Sequence, residues 1–264
     1  MTYAMLMQHA EDMRDLAVEV ASAGGADGYY RMRAIHKEFA DLPDAFRPLT
    51  GFPDPQTYDA KLRHLDDVLS GLSTGDGQEL ANANLQNLNV ALRNWTGEAA
   101  EKFKRGFIEP WPAFLQNQYT VGVVLHSALE AEQEIWTRAR QDADQIGEQG
   151  LAAMAACGDC TRTEWTITFT VVAAVAAVAA VPVSGGLSLA AGGVAGLAQV
   201  VAATGPAEAP QTTFTADVPS EVADRVREAI TQLRAHIHEK RDAVRIALRA
   251  TNKAITDRPE LFGW

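Results

Sequence analysis

The sequence predicts an all-α fold, an elongated helical bundle, and three observations carry that expectation. Alanine is abundant, and most of the chain alternates apolar and charged residues at helical spacing. Apolar stripes with steps of three and four residues recur over stretches long enough for several turns. The β-branched residues gather mainly in one region. At 264 residues the chain can hold one large or two small domains with a sizeable core.

Residues 1–22 predict a first helix, with Met5, Ala10, Met13, Leu16 and Val20 near helical spacing and "AGGADG" ending it. A second helix is expected from Tyr29 to Phe39, and "LPDAFRPLTGFPDP" reads as a Pro-punctuated connection that folds back to cover the next part of the chain. These residues make up an N-terminal region, 1–54. From Gln56, Tyr58, Leu62, Leu65, Leu69 and Leu72 form one stripe, "STGDG" at 73–77 interrupts it, and Leu85, Leu88, Leu92 and Trp95 resume with the seam spacing of paired helices.

After Gly97 the pattern restarts with Ala99, Ala100, Phe103 and Phe107 and meets a Pro-Trp-Pro kink at 110–112. It then runs through Phe114, Leu115, Leu125, Leu129, Ile135 and Trp136 to about Met154. Two stripes joined at Trp95-Thr96-Gly97 predict a long antiparallel helical hairpin over 55–160. In it Gly97 allows the reversal, Trp95 covers the open end, Ala99 and Ala100 permit close approach, and Phe103 fills the space one turn on.

The run Trp95-Thr96-Gly97-Glu98-Ala99-Ala100-Glu101-Lys102-Phe103 resembles the WXG family of type VII (ESX) secretion substrates, small helical hairpins whose Trp-x-Gly marks the turn. The resemblance covers about residues 55–157. It implies an exported protein, secreted or associated with the cell surface or a membrane, that pairs with itself or with a WXG-type helical partner and serves as a virulence or interbacterial effector. One feature of the family is missing. Its export signal is a Tyr followed four residues later by an acidic residue, whereas Tyr3, Tyr29, Tyr30, Tyr58 and Tyr119 are followed by Met7, Arg33, Ala34, Leu62 and Val123. Export then depends on a partner's signal or on a different one.

No charged residue occurs between Glu164 and Glu208. Pro182 and the run from Ser184 through Gly185 and Gly186 split this stretch into two arms, Thr166 to Val181 and Leu187 to Ala203, each near the short limit of about 17–25 residues for a membrane-crossing helix. Val172, Val175, Val178 and Val181 step by three with alanines between them, so the apolar surface runs right round the helix, as in buried or membrane-embedded segments. Gly192 and Gly196 suit close helix contact. The arms hold Ala and Gly more than Leu and Phe, with Leu197 among the few large residues, so insertion is expected to be marginal and conditional.

Alternating Thr and apolar residues at 166–170, including Ile167 and Phe169, and at 212–216 predict two short strands pairing at the base of this region, 161–217. The arrangement is similar to the tongue of α-helical pore-forming toxins of the haemolysin E class, which implies that 165–205 enters a lipid bilayer after oligomerisation. The alternative is a small-residue helix pair forming soluble core or an oligomer interface, in a structural or interaction component of a secretion or effector complex. A last helix begins near Pro219 and carries Val222, Val226, Ile230, Leu233, Ile237, Val244, Leu248 and Ile255, filling 218–264 and packing on the hairpin.

The formal charge of −11 argues against a nucleic-acid or anionic-membrane partner engaged by charge, since either would be repelled at neutral pH. Mild acid, by neutralising part of that charge, is expected to favour membrane contact. The N-terminus reaches Glu11 without the basic and apolar regions of a Sec-type leader. Cys157 and Cys160 read as a local disulfide or as two reduced thiols, in preference to a redox or zinc site. His9, His36, His64, His126, His236 and His238 lie in amphipathic helices without a metalloprotease spacing, "GGVAG" is not a dinucleotide fingerprint, and no nucleophile elbow occurs. The carboxylates are read as lying on polar helical faces. The expectation is a non-enzyme with no cofactor and no bound metal.

Overall fold

The computed structural model describes residues 3–23, 29–72, 87–88, 90–157, 162–172 and 209–259. Within these the chain is mostly helical: α1 (Tyr3–Ala23), α2 (Tyr29–Phe39), α3 (Leu42–Phe46), α4 (Asp59–Leu72), α5 (Glu98–Phe103), α6 (Trp111–Ala156) and α7 (Pro219–Asp257). A two-stranded antiparallel sheet, β1 (Thr163–Thr168) with β2 (Gln211–Ala216), lies between α6 and α7 in the sequence. Among the described residues no helix is long and apolar enough to cross a membrane. Val175, Val178, Val181, Pro182, Gly185, Gly186, Leu187, Gly192, Gly196 and Leu197 of the expected apolar hairpin lie outside the described residues.

The chain divides into two compact units, each assembled from separate stretches. The first takes the described parts of Met1–Pro55, Gln133–Val175 and Pro206–Asp242, the second those of Gln56–Glu132 and Ala243–Trp264. Helices α6 and α7 contribute residues to both.

In the first unit α1 buries Leu6, Ala10, Met13 and Ala17. The buried face is therefore rotated from the expected one: Met5 is exposed and Leu16 and Val20 are half-buried. The glycines of α6 account for the rotation, since the side chains of Leu6, His9 and Met13 reach α6 where it carries Gly147 and Gly150. A Cβ on Gly147 would meet Leu6 and His9 at 3.4 Å, and one on Gly150 would lie 2.7 Å from Met13 and 2.8 Å from Val226 of α7. Gly150 is thus the point where three helices converge.

The connection after α2 is more ordered than its prolines suggest. It forms α3 and a 3₁₀ turn over Arg47–Gly51, with Pro43 and Pro48 in the first positions, where a missing N–H costs nothing. Leu42, Phe46 and Leu49 from this stretch are fully buried against α1. Each contributes about 1.5–3 kcal/mol of transfer free energy. Phe52 packs on Trp136 of α6 with ring centroids 5.4 Å apart, and Arg241 of α7 sits 5.0 Å over that indole.

The buried line along α6 reads Val124, Ala128, Ala131, Ile135, Ala139, Asp142, Ile146, Ala153 and Cys157, with steps of three and four wherever Gly150 is counted in. The buried line on α7 reads Val222, Val226, Ala229, Leu233, Ile237, Lys240, Val244, Ala247 and Thr251. Leu248 and Ile255 are half-buried.

The second unit is packed differently. Among the described residues Val124 is its one member of the largest fully buried side chains, whereas Phe39, Phe46, Phe169, Met13 and Leu233 all belong to the first. The α4 stripe expected from the sequence exists, but Leu62, Leu65, Leu69 and Leu72 are only half-buried. Leu69 rests against Gly122 of α6, and Asp66 pairs with His126 at 2.9 Å, so α4 runs antiparallel to α6 over these turns.

The two glycine environments give opposite expectations. Gly71 of α4 has nothing within 4 Å of an added Cβ, whereas Gly150 is closed on two sides. Gly71→Ala should raise stability by about 0.5–1 kcal/mol. Gly150→Ala should lower it by about 1 kcal/mol, because overpacking of about 1–3 kcal/mol outweighs the helix-propensity gain. Urea unfolding followed by circular dichroism reads both signs.

Candidate functional site: the turn and the root of the uncharged segment

Two groups of residues singled out by the sequence are described. The first is the turn at Trp95. The backbone closes it with Trp95 N–H to Leu92 O at 3.0 Å and Glu101 N–H to Gly97 O at 3.1 Å. Gly97 has φ 103° and ψ 173°, a region open to glycine alone, so any side chain there would cost about 1–3 kcal/mol without touching a neighbour. Helix α5 begins at Glu98 immediately beyond it. Ala100 is buried and Ala99 is exposed, so only one of the expected small pair sits at a helix contact.

Trp95 packs on Phe103 at 5.5 Å and remains 40% exposed. The stack continues from Phe103 to Phe107 at 5.3 Å and from Phe107 to Trp111 at 5.1 Å. One π-helical turn over Lys104–Ile108 keeps residues four apart on one face, which aligns these rings. Pro110 marks the break before α6, and Pro112 sits in the first turn of that helix. The sequence predicted the turn and Phe103; it carried no signal for the π turn.

The second group is the root of the uncharged segment. Strand β1 pairs with β2 in the register Trp165↔Phe214 and Ile167↔Thr212. The strands thus include residues on both sides of the charge-free stretch, as the Thr alternation predicted, with β1 starting and ending earlier than expected. Trp165, Ile167, Phe214 and Ala216 face inward and are buried. On the outer face the hydroxyls of Thr166 and Thr213 lie 3.0 Å apart. Thr212 donates to Gln232 of α7 at 3.0 Å.

Past Thr168 the strand geometry stops. Phe169 makes one more bond across, N–H to Pro210 O at 3.0 Å, and its ring is fully buried beside His236 of α7 at 5.2 Å. The backbone then turns, leaving the N–H groups of Thr170 and Val171 without a strand partner. Asp142 of α6 supplies the acceptors. Its Oδ1 receives the Thr170 N–H at 3.0 Å and the Thr170 hydroxyl at 2.6 Å, and its Oδ2 receives the Val171 N–H at 2.9 Å. Val172, the third described residue of the expected membrane hairpin, closes the turn through its N–H to Phe169 O at 3.4 Å.

Asp142 corrects the expectation that all carboxylates lie on polar faces. It is 1% exposed and occupies an apolar stripe position between Ala139 and Ile146. The sequence held the signal, an acidic residue where the helical period calls for an aliphatic one. Burial pushes its carboxyl above the ordinary 3.8, against the opposing pull of the three hydrogen bonds and of Arg138 one turn earlier. On α7, His236 lies beside Phe169 with the rings tilted by 52°, and Lys240, one turn on, is buried and pairs with Glu239 at 3.5 Å. Burial raises Asp144 in the same direction.

Cys157 is a free, buried thiol, 3.9 Å from the Thr163 hydroxyl, and burial is the chief cause that pushes its pKa up. Of the two readings left open by the sequence, the reduced thiol is the one seen at Cys157; Cys160 lies outside the described residues. His126 lies between Asp66 at 2.9 Å and Glu130 at 3.4 Å, and His238 faces Asp242 at 3.4 Å. Among the described residues no cluster of His, Cys, Asp or Glu is arranged to hold a metal ion. Comparison with family models, with curated proteins and with solved structures finds no match.

The sign of the Asp142 effect can be measured. Its folded value lies above the unfolded one, so the stability tied to its proton is present below the ordinary value of 3.8 and is lost as pH rises through the folded value. The melting temperature of the native protein minus that of Asp142→Asn should therefore fall with rising pH across that interval. A pH series of thermal melts checks it.

Proposed function

We propose that this is a non-enzymatic helical protein, exported in the manner of the WXG-type substrates that residues 95–103 resemble, and that it acts on lipid bilayers through residues 165–205. The observation that carries the reading is the pairing of β1 with β2, whose strands include residues on both sides of a stretch that has no charge between Glu164 and Glu208. A segment that leaves and returns at one place can enter a bilayer as a hairpin and come back to the same side. The absence of charge removes the largest penalty to entry. The long helical hairpin over 55–160 and self-association belong to the same reading, with the long helices staying in water.

A second reading is favoured by the surface of the second unit. Val68, Val90, Trp95, Phe107 and Leu125 of this unit are all at least 40% exposed, and the leucines of α4 are only half-buried. Such a surface suits a helical partner or a second copy, as in an assembly subunit whose uncharged segment serves as core or interface.

Liposome flotation and dye release separate the two. The native protein is expected to float and release dye, and Val178→Asp and Leu197→Asp to reduce release on the order of a hundredfold, since an acidic residue at mid-helix costs about 2.5–3.5 kcal/mol to insert. Far-UV circular dichroism of both variants should be unchanged. No flotation by the native protein, with loss of the helical signal in the variants, would place the segment in the core and favour the assembly reading.

A further inference from the structure

Resting on the reading of 165–205 as the membrane-entering segment, we infer that Asp142 is the anchor that fastens the root of that segment to α6, and that its loss frees the root while the helices stay folded. The root leaves β1 after Thr168, and two consecutive amides, that of half-buried Thr170 and that of buried Val171, then need acceptors outside the strand ladder. Val171 is fully buried, so water does not serve as a ready substitute there. Both acceptors come from a single side chain on another element, which also takes the Thr170 hydroxyl. Hydrogen bonds to a carboxylate are the stronger kind, and three converge here.

The placement is what makes Asp142 an anchor and not simply a buried residue. An aliphatic side chain at 142 would continue the stripe of Ala139 and Ile146 and would leave the contact between α6 and α7 intact. The hydrogen-bond partners of the carboxylate all lie in the two residues that lead into the uncharged segment. Besides these bonds the root is held by Phe169, packed on His236, and by burial of Val171. Apolar burial is non-directional and lets a segment slide, whereas the carboxylate fixes where the chain departs.

The test is amide hydrogen exchange on the full chain, native and with Asp142→Leu, Asp142→Asn or Thr170→Val. Asp142→Leu removes both acceptors and suits the stripe. Asp142→Asn keeps one acceptor but turns a donor toward one of the amides. Thr170→Val removes only the hydroxyl bond and serves as the mild variant should the others fold poorly. The anchor predicts at least tenfold faster exchange at Thr170 and Val171 in Asp142→Leu, a smaller increase in Thr170→Val, and unchanged exchange at Ile167, Phe214 and along α6 and α7. Unchanged exchange at 170 and 171 in every variant overturns it, as does a uniform rise across the first unit.

Dye release from liposomes is measured on the same samples, with several-fold faster release expected from Asp142→Leu. Selective opening of the root without release by any sample leaves the anchor standing and removes the membrane reading.

Discussion

The pairing of β1 with β2 is the constraint on which the rest of the first unit depends. It forces two points of the chain more than forty residues apart, Thr168 and Gln211, into register. The ordering cost of closing that loop is met by burying Trp165, Ile167, Phe169 and Phe214 in the first unit, whose α7 supplies the contacts of His236 with Phe169 and of Gln232 with Thr212. A two-stranded ribbon is marginal in water by itself. Here its inward side chains complete a helical core, so strand and helix stabilise each other. Asp142 belongs to the same geometry: once the strand stops at Thr168 the next amides have no ladder, and a buried helix supplies the acceptor.

The distribution of side chains separates the units physically. The first concentrates its large buried residues around a point, Gly150, where Met13 and Val226 meet α6 without room for a methyl group. Such interdigitation specifies one arrangement. In the second, Val124, Ala128 and Ala131 line the core side of α6 together with the polar Asn117, Thr120 and Ser127, and the leucines of α4 stay half-exposed. Less apolar area is removed from water there, so local opening is expected to cost less than in the first unit.

Much of the secondary structure was legible because the periodicity was strong. Helix α2 falls on the expected Tyr29 to Phe39, and α7 on a 39-residue span from Pro219. The paired strands were announced by Thr alternation. What escaped were features set by three-dimensional proximity. The buried face of α1 is shifted from Met5 and Leu16 to Leu6 and Ala17 because Leu6 and Met13 seat against Gly147 and Gly150 of α6, a pairing that hydrophobicity within α1 does not announce. The order of the proline-rich connection depends on Leu42, Phe46 and Leu49 filling space beside α1, which prolines do not announce. Asp142 was visible as a break in an apolar stripe, but its partners are 28 and 29 residues away, and no local spacing joins them. The turn at Gly97 was legible, whereas the π turn that stacks Phe103, Phe107 and Trp111 was not.

The direction of the Asp142 shift bears on how the segment is set free. Because burial holds its carboxyl above the ordinary carboxylate range, acid adds a proton in place and favours the folded arrangement, so Asp142 gives acid no help in releasing the segment and the overall charge of −11 is left to supply it. The central claim is that the uncharged segment itself enters lipid. An environment-sensitive fluorophore on Ala190→Cys, in protein carrying Cys157→Ser and Cys160→Ser, tests it most directly. Blue-shifted emission on adding liposomes, shielded from an aqueous quencher, is the predicted result. An unchanged spectrum, equally quenched with and without liposomes, would contradict the account.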